Sequence, residues 1–267
     1  MTIAEAIKLK PNLKFVPDRP QPDNYHARTG HVLPNGISEV QKQLDCIQNY
    51  AVKNQMVLNT KKTKAMIFNN GKSMDFMPTL EVQGCEIEVV EEMRLLGLII
   101  RSDLKWSSNS EHITLKAFGR LWILRRLKAL GAKESDLLDV YLKQVRSVLE
   151  LAVPAWHPGL TAGEATDIER VQRSALNIIL GMDYTSYSTA LDYFNLETLD
   201  SRRDLLCKNF EFKAARNPKH ANWFKLNVKT TNTRLSEPKF KPVIYRTTRF
   251  QKSPLSYLTS LLNKYSK

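Results

Sequence analysis

Proline decides which parts of this chain can hold regular structure. Nine of its 12 prolines lie in two stretches. Five (Pro11, Pro17, Pro20, Pro22, Pro34) fall within residues 8–36, which carry few branched apolar residues, and four (Pro218, Pro238, Pro242, Pro254) lie beyond Asn217. Each fixes φ and removes a backbone donor, so neither stretch suits a long helix or a central strand. Residues 1–37 therefore read as a proline-rich loop. Residues 217–267 read as a largely irregular tail, with a short helix near 255–263.

Between these stretches the apolar period changes once. Ser38 can cap a helix whose apolar positions are Val40, Leu44, Ile47, Ala51 and Val52, ending near Asn54. Ala65–Phe68 follows a polar knot over residues 59–63, and Asn69-Asn70-Gly71 is a turn signal. Alternation about Gln83-Gly84 predicts a hairpin over residues 80–89, and residues 94–100 predict a buried strand. After Trp106 the period becomes helical. Helices are predicted over 111–130, ending at Gly131, and over 135–153, with apolar Leu138, Leu142, Val145, Leu149 and Ala152. Pro154 and Pro158 bracket a break. Thr161 and Glu164 form a capping box for a further helix that stops at Gly181, and helices at 186–194 and 200–216 follow. The expected fold is thus α+β: a small, largely antiparallel sheet with one helix over 38–106, an α-helical bundle over 107–216, and the basic tail.

Charge is segregated along the chain. Residues 1–106 hold 14 basic and 12 acidic residues, and residues 107–200 hold 10 and 12. Residues 201–267 hold 16 and 3, so the whole net charge of +13 resides in the last quarter. A concentrated positive field attracts polyanions, which makes nucleic acid the leading partner; a basic tail without a ligand is the plainer reading. Hydrophobic residues at 42% supply enough material for a core, excluding wholesale disorder. The three cysteines (Cys46, Cys85, Cys207) are far apart and odd in number, which suggests reduced thiols and an intracellular protein, cytoplasmic or nuclear. No apolar run approaches the roughly 20 residues of a membrane span, and the first residues do not have the pattern of a secretory signal.

Hydrolase and metal chemistry find little support. Among His26, His31, His112, His157 and His220 none is spaced for a helical metal pair, and no C-x-x-C pair, G-x-S-x-G elbow or glycine-rich phosphate loop occurs. His157, between Pro154 and Pro158, reads as a structural residue at the helix break. Three segments are more distinctive. Residues 58–68 place Lys61, Lys62 and Lys64 beside a strand, where lysine can meet phosphate or simply line a solvated turn. Residues 95–106 combine Leu96-Gly97, which permits close backbone approach, with Lys105-Trp106, a cation and a ring able to stack on bases or to pack internally. Residues 120–128 interleave Arg120, Arg125, Arg126 and Lys128 with bulky apolar groups, as in a helix that packs on one face and lies along phosphates on the other.

In order, these segments resemble the downstream part of the reverse transcriptase of non-long-terminal-repeat (LINE, jockey-like) retrotransposons. The resemblance rests on Leu58-Asn59, Lys62-Thr63, Leu96-Gly97, Asp103-Leu104, Trp106, Leu124-Arg125-Arg126-Leu127-Lys128, Val145–Glu150 and Trp156-His157-Pro158. It continues through Ile168–Gln172, Ala175-Leu176 and Leu199 with Arg202-Arg203, covering residues 38–216. It implies the end of a polymerase palm over 38–106, with Lys62 near the incoming nucleotide's phosphates and Leu96 and Gly97 in the primer-grip hairpin. A thumb and connection over 107–216 would hold the RNA and DNA of a template–primer duplex. Lys105, Trp106, Arg120, Arg125, Arg126, Arg202 and Arg203 are the expected nucleic-acid contacts.

The same resemblance implies Mg²⁺ in the intact parent and none in this fragment. Nucleotidyl transfer needs metal ions held by clustered carboxylates, which the family carries partly in an aromatic-x-Asp-Asp turn. No Asp-Asp dipeptide occurs here, and Met1–Ala4 resembles the family's residues immediately downstream of that turn. The expectation is a truncated reverse transcriptase, without catalytic residues and inactive by itself, whose fingers and palm portion lies upstream in the parent polyprotein. The alternative is a helical protein-interaction module, or a retroelement relic, with no nucleic-acid role.

Overall fold

The computed structural model describes residues 34–68, 79–220, 223, 224, 226, 239–245 and 247–265. The loop expected over residues 1–33 and the Asn69-Asn70-Gly71 turn lie outside the described residues. The chain divides into two compact units between Lys105 and Trp106.

The first unit opens with α1 (Pro34–Lys53). The helix starts at Pro34 instead of behind a Ser38 cap, because the first helical position needs no backbone donor and proline already has the helical φ. Val40, Leu44 and Ala51 are buried. The flank of α1 is pinned to the neighbouring hairpin by side-chain amides. Gln41 donates to the Glu81 carbonyl at 2.9 Å and accepts from the Glu81 N–H at 3.0 Å, while Gln48 accepts from the Gln83 N–H at 3.0 Å.

That hairpin pairs β2 (Glu81–Val82) with β3 (Cys85–Glu86) antiparallel. Gln83 and Gly84 both have positive φ, as a tight two-residue turn requires. The chain then leaves β2: Ile87 enters the core, and β4 (Glu88–Val89) pairs parallel with β1 (Lys64–Ala65), Lys64 opposite Glu88. Among the described residues the expected small, largely antiparallel sheet is divided into three two-stranded pieces, two antiparallel and one parallel. The third is a hairpin of β5 (Glu92–Leu95) and β6 (Leu98–Arg101). The single strand expected over 94–100 folds back at Leu96-Gly97, with Leu95 opposite Leu98. A small core of Val40, Leu44, Ala65, Ile67, Leu80, Val82 and Ile87 holds α1 and the short strands together.

The second unit is helical. In α2 (Ser107–Ala129) the inward stripe is Ile113, Ala117, Leu121 and Leu124, each such leucine contributing about 1.5–3 kcal/mol by leaving water. The helix stops as the glycine predicts: Gly131 takes φ +81, the Ala132 N–H reaches the Leu127 carbonyl, and the Gly131 N–H reaches that of Lys128.

The next helix departs from expectation. It runs as α3 (Glu134–Val140), a π-helical turn (Tyr141–Arg146) and α4 (Ser147–Leu149). The buried residues are Leu137, Tyr141, Val145 and Leu149. Four-residue spacing drifts about 40° per step around an α-helix, and the wider π-turn takes up that drift. The helix predicted to reach residue 153 ends at Leu149. Ala152 adopts a left-handed φ of 50°, and α5 (Val153–Trp156) opens with proline in its first turn.

The capping box forms at the start of α6 (Ala162–Leu180): Thr161 Oγ1 accepts from the Glu164 N–H, and the Glu164 carboxylate accepts from the Thr161 N–H at 2.7 Å. Then come α7 (Tyr187–Tyr193) and α8 (Leu199–Arg216), capped by Ser186 and Thr198. The tail is less irregular than predicted where it is described. It forms α9 (Thr248–Gln251) and α10 (Pro254–Tyr265), and α10 packs on α8 with Leu258 and Leu262 buried.

Two polar joints fix the bundle. Tyr141 donates to Gln172 at 2.6 Å, and Gln172 donates onward to the Tyr187 hydroxyl and the Glu197 carbonyl, both at 2.9 Å. Tyr187 in turn donates to Glu169. At the other joint His157 Nδ1 accepts from Arg203 at 3.2 Å, its Nε2 donates to Asp204 at 2.9 Å, and Tyr257 of α10 donates to the same carboxylate. Burial lowers the His157 pKa, which suits a neutral ring receiving the Arg203 bond. His157 is thus a structural residue, as the flanking prolines suggest.

Among the described residues, one buried carboxyl stands without any hydrogen-bond partner. Glu211 lies on the inward face of α8, both its oxygens lack partners, and burial pushes its carboxyl up to about 7. A carboxyl raised in the folded state adds stability below its ordinary pKa of 4.5 that is lost as pH rises through 7. Glu211→Gln should therefore raise the Tm at pH 8 and flatten the dependence of Tm on pH between 4.5 and 7, read by thermal unfolding monitored by circular dichroism.

Candidate nucleic-acid interface

Four of the sequence-predicted site residues belong to the first unit. Lys62 closes a 3-10 turn over Thr60–Lys62, in which the Asn59 side chain accepts from the Lys62 N–H at 3.0 Å and the Thr63 hydroxyl donates to the Asn59 carbonyl. Short polar side chains bonding back to the backbone suit this turn. The turn leaves Lys62 exposed, whereas nearby Lys64 is held by Glu88. Leu96 and Gly97 form the tip of the β5–β6 hairpin, with φ of 50° and 91°. Leucine there is both strained and 72% exposed.

Lys105 is exposed on a turn organised by Asp103, its ammonium 3.8 Å from the Asp103 carboxylate. The Asp103 carboxylate accepts from the Lys105 N–H and from Arg101 Nε, each at 3.0 Å. The Arg101 guanidinium holds its carboxyl down at about 2.

The second unit separates its six predicted residues into three environments. Trp106 sits just ahead of α2 with its indole against Gly159; a Cβ at Gly159 would come within 2.5 Å of Trp106 Cδ1. The ring is half-buried, with one edge taken up by this contact. Arg203 is buried, contrary to the surface contact expected of it. Its side chain is 1% exposed, bonded to His157 and to Asp200 at 2.9 Å, so it does not reach a surface phosphate. Arg202 is half-buried and pairs with Glu150 at 2.8 Å, a carboxylate that also faces Arg146. Arg120 donates to the Gln144 carbonyl in the π-turn.

Arg125 and Arg126 remain, and α2 sets them on one exposed face. Leu115, Gly119, Trp122, Arg126 and Ala129 follow one another at spacings of four and three, forming a line along the helix opposite the inward stripe. Lys116 and Arg125 flank this line. Trp122 is 59% exposed. Among the described residues no carboxylate pairs with Lys116, Arg125 or Arg126. Within α2 the only acid is Glu111, against five bases.

Gly119 sharpens the picture. Mid-helix glycine costs about 1 kcal/mol relative to alanine. Here a Cβ would meet nothing within 4 Å, so internal packing does not require the glycine. Its absence of side chain lowers the surface beside Trp122, leaving helix backbone open to close approach. Residues 120–128 hold only Trp122, Arg125 and Arg126 of this face, and their interleaved apolar groups do not distinguish Trp122 from the packing residues. The signal lies further back: Ile113, Ala117, Leu121 and Leu124 define the inward stripe and leave Trp122 outside it.

The two tryptophans should therefore respond differently to truncation. Trp122→Ala should change stability by no more than about 0.5 kcal/mol, and Trp106→Ala should cost about 3 kcal/mol. Urea denaturation measures both; equal losses would assign Trp122 to packing.

No helix among the described residues is long and apolar enough to cross a membrane. Comparison with protein-family models, with curated proteins and with solved structures returns no match for this chain.

Proposed function

We propose that the chain is a nucleic-acid-binding portion of a non-long-terminal-repeat retrotransposon reverse transcriptase, which grips a template–primer duplex but does not extend it alone. The observation that carries this reading is the exposed face of α2, where an aromatic ring, a bare glycine and cations without carboxylate partners share one surface. Phosphates recruit such cations at a distance, and the ring adds contact where the backbone can be approached. The ordered motifs over residues 38–216 support the family reading. The hairpin tip at Leu96-Gly97 is compatible with a primer grip, and the exposed Lys62 with a phosphate contact.

Polymerisation would need Mg²⁺ between clustered carboxylates. Among the described residues no three His, Cys, Asp or Glu side chains gather into such a group. Asp103 is taken by Arg101, and Glu88 by Lys64. These residues do not fit a two-metal centre, and no step of nucleotidyl transfer is assigned to them. In this reading the carboxylates belong to a fingers and palm portion that acts with this one.

Fluorescence anisotropy of an RNA–DNA hybrid across a salt series tests the proposal. Affinity should fall log-linearly with salt, and Arg125→Gln with Arg126→Gln should reduce the slope by about 2. Trp122→Ala should weaken binding about tenfold. A flat salt response, or no binding at low salt, rejects the proposal and favours a protein-interaction module. Primer extension with Mg²⁺ should be nil; measurable extension would contradict the assignment of catalysis elsewhere.

A further inference from the structure

We infer that the surface around the C-terminal ends of α8 and α10 is a second polynucleotide site, one that takes a single strand. It uses no residue of α2 and stands independently of the duplex reading.

Charge is the first observation. Residues 201–267 carry 16 bases and three acids. Of these acids, Asp204 is engaged by His157 and Tyr257, Glu211 is buried, and Glu237 lies outside the described residues.

Exposed rings among these cations are the second. Tyr265, the last residue of α10, carries the Lys208 ammonium 3.7 Å from its ring centroid and that of Lys264 at 5.4 Å, yet remains 43% exposed. Trp223 leans on His220, with ring centroids 4.3 Å apart, and is 46% exposed.

The segments that carry the two rings are tied together by one packed cluster. Asn263, beside Lys264, clamps the Phe240 backbone through both amide atoms, at 2.9 and 3.0 Å. Phe240 meets the buried Phe224 edge-on at 6.4 Å, and Phe224 follows Trp223 in the chain. Lys239, next to Phe240, adds a further cation. A duplex hides its base faces within the stack, whereas a single strand offers them. Every base has a π-face that such rings can meet while lysines follow the phosphates.

The test uses the full chain, with labelled oligouridylate and oligothymidylate beside an RNA–DNA hybrid. Single-strand binding should be salt-sensitive. Trp223→Leu and Tyr265→Leu should each weaken it about tenfold and leave hybrid binding unchanged. Lys208→Gln with Lys264→Gln should reduce the single-strand salt slope by roughly 1.4, a readout that holds if either aromatic variant fails to fold. Trp122→Ala should weaken the hybrid alone. The inference is overturned if neither single strand binds at low salt, if the aromatic and lysine variants bind as the parent does, or if Trp122→Ala removes single-strand binding equally.

Discussion

The second unit depends on how α2 lies along α6. Apolar burial of Ile113, Ala117, Leu121 and Leu124 supplies the contact, but such packing alone allows a helix to slide. Lys128 fixes the register. Its ammonium donates to the Ile178 and Ile179 carbonyls, both at 2.8 Å, at the end of α6 where carbonyls lack helical partners. A cation there also meets the negative end of the helix dipole. Gly181, with φ +64, lets the chain turn away beside the lysine, and a Cβ there would collide with the Lys128 ammonium group. Lys128 is thereby withdrawn from the solvent face on which Arg125 and Arg126 lie.

With one face of α2 committed, its other face is defined by elimination. The neighbouring polar network through Tyr141, Gln172 and Tyr187 is satisfied internally and leaves little to offer a ligand. The same holds for Arg202 and Arg203, whose partners are Glu150, Asp200 and His157. Basic residues in this protein thus divide between cations that hold helices together and cations that face solvent. Composition alone cannot separate them. The side-chain partner of each cation does.

Much of this arrangement was legible in the sequence. The capping box at Thr161, the stop at Gly131 and the turn at Gln83-Gly84 each follow from one or two residues whose local chemistry admits few alternatives. Other features depend on tertiary contacts. By residue pattern the Leu96-Gly97 turn is hidden inside an apolar run that reads as one strand, because leucine takes the left-handed position that asparagine usually fills; only the family resemblance put a hairpin there. The π-turn is visible only once Leu137, Tyr141, Val145 and Leu149 are known to face inward. Strands as short as β1 and β4 carry no periodic signal. For the site, Arg125 and Arg126 lie outward as their helix suggests. Arg203 does not, because the buried stripe of α8 includes Arg203 and Glu211 beside Cys207, two charged residues that binary patterning would send to solvent. The contact of Trp106 is hidden for a similar reason: the glycine it rests against lies far along the chain, at Gly159.

Photocrosslinking of an RNA–DNA hybrid to the full chain, with the adducts mapped by mass spectrometry, tests the central claim most directly. The account predicts adducts on residues 115–129, with Trp122 prominent, that fade as salt is raised. Adducts confined to other segments, or none at low salt, would contradict it.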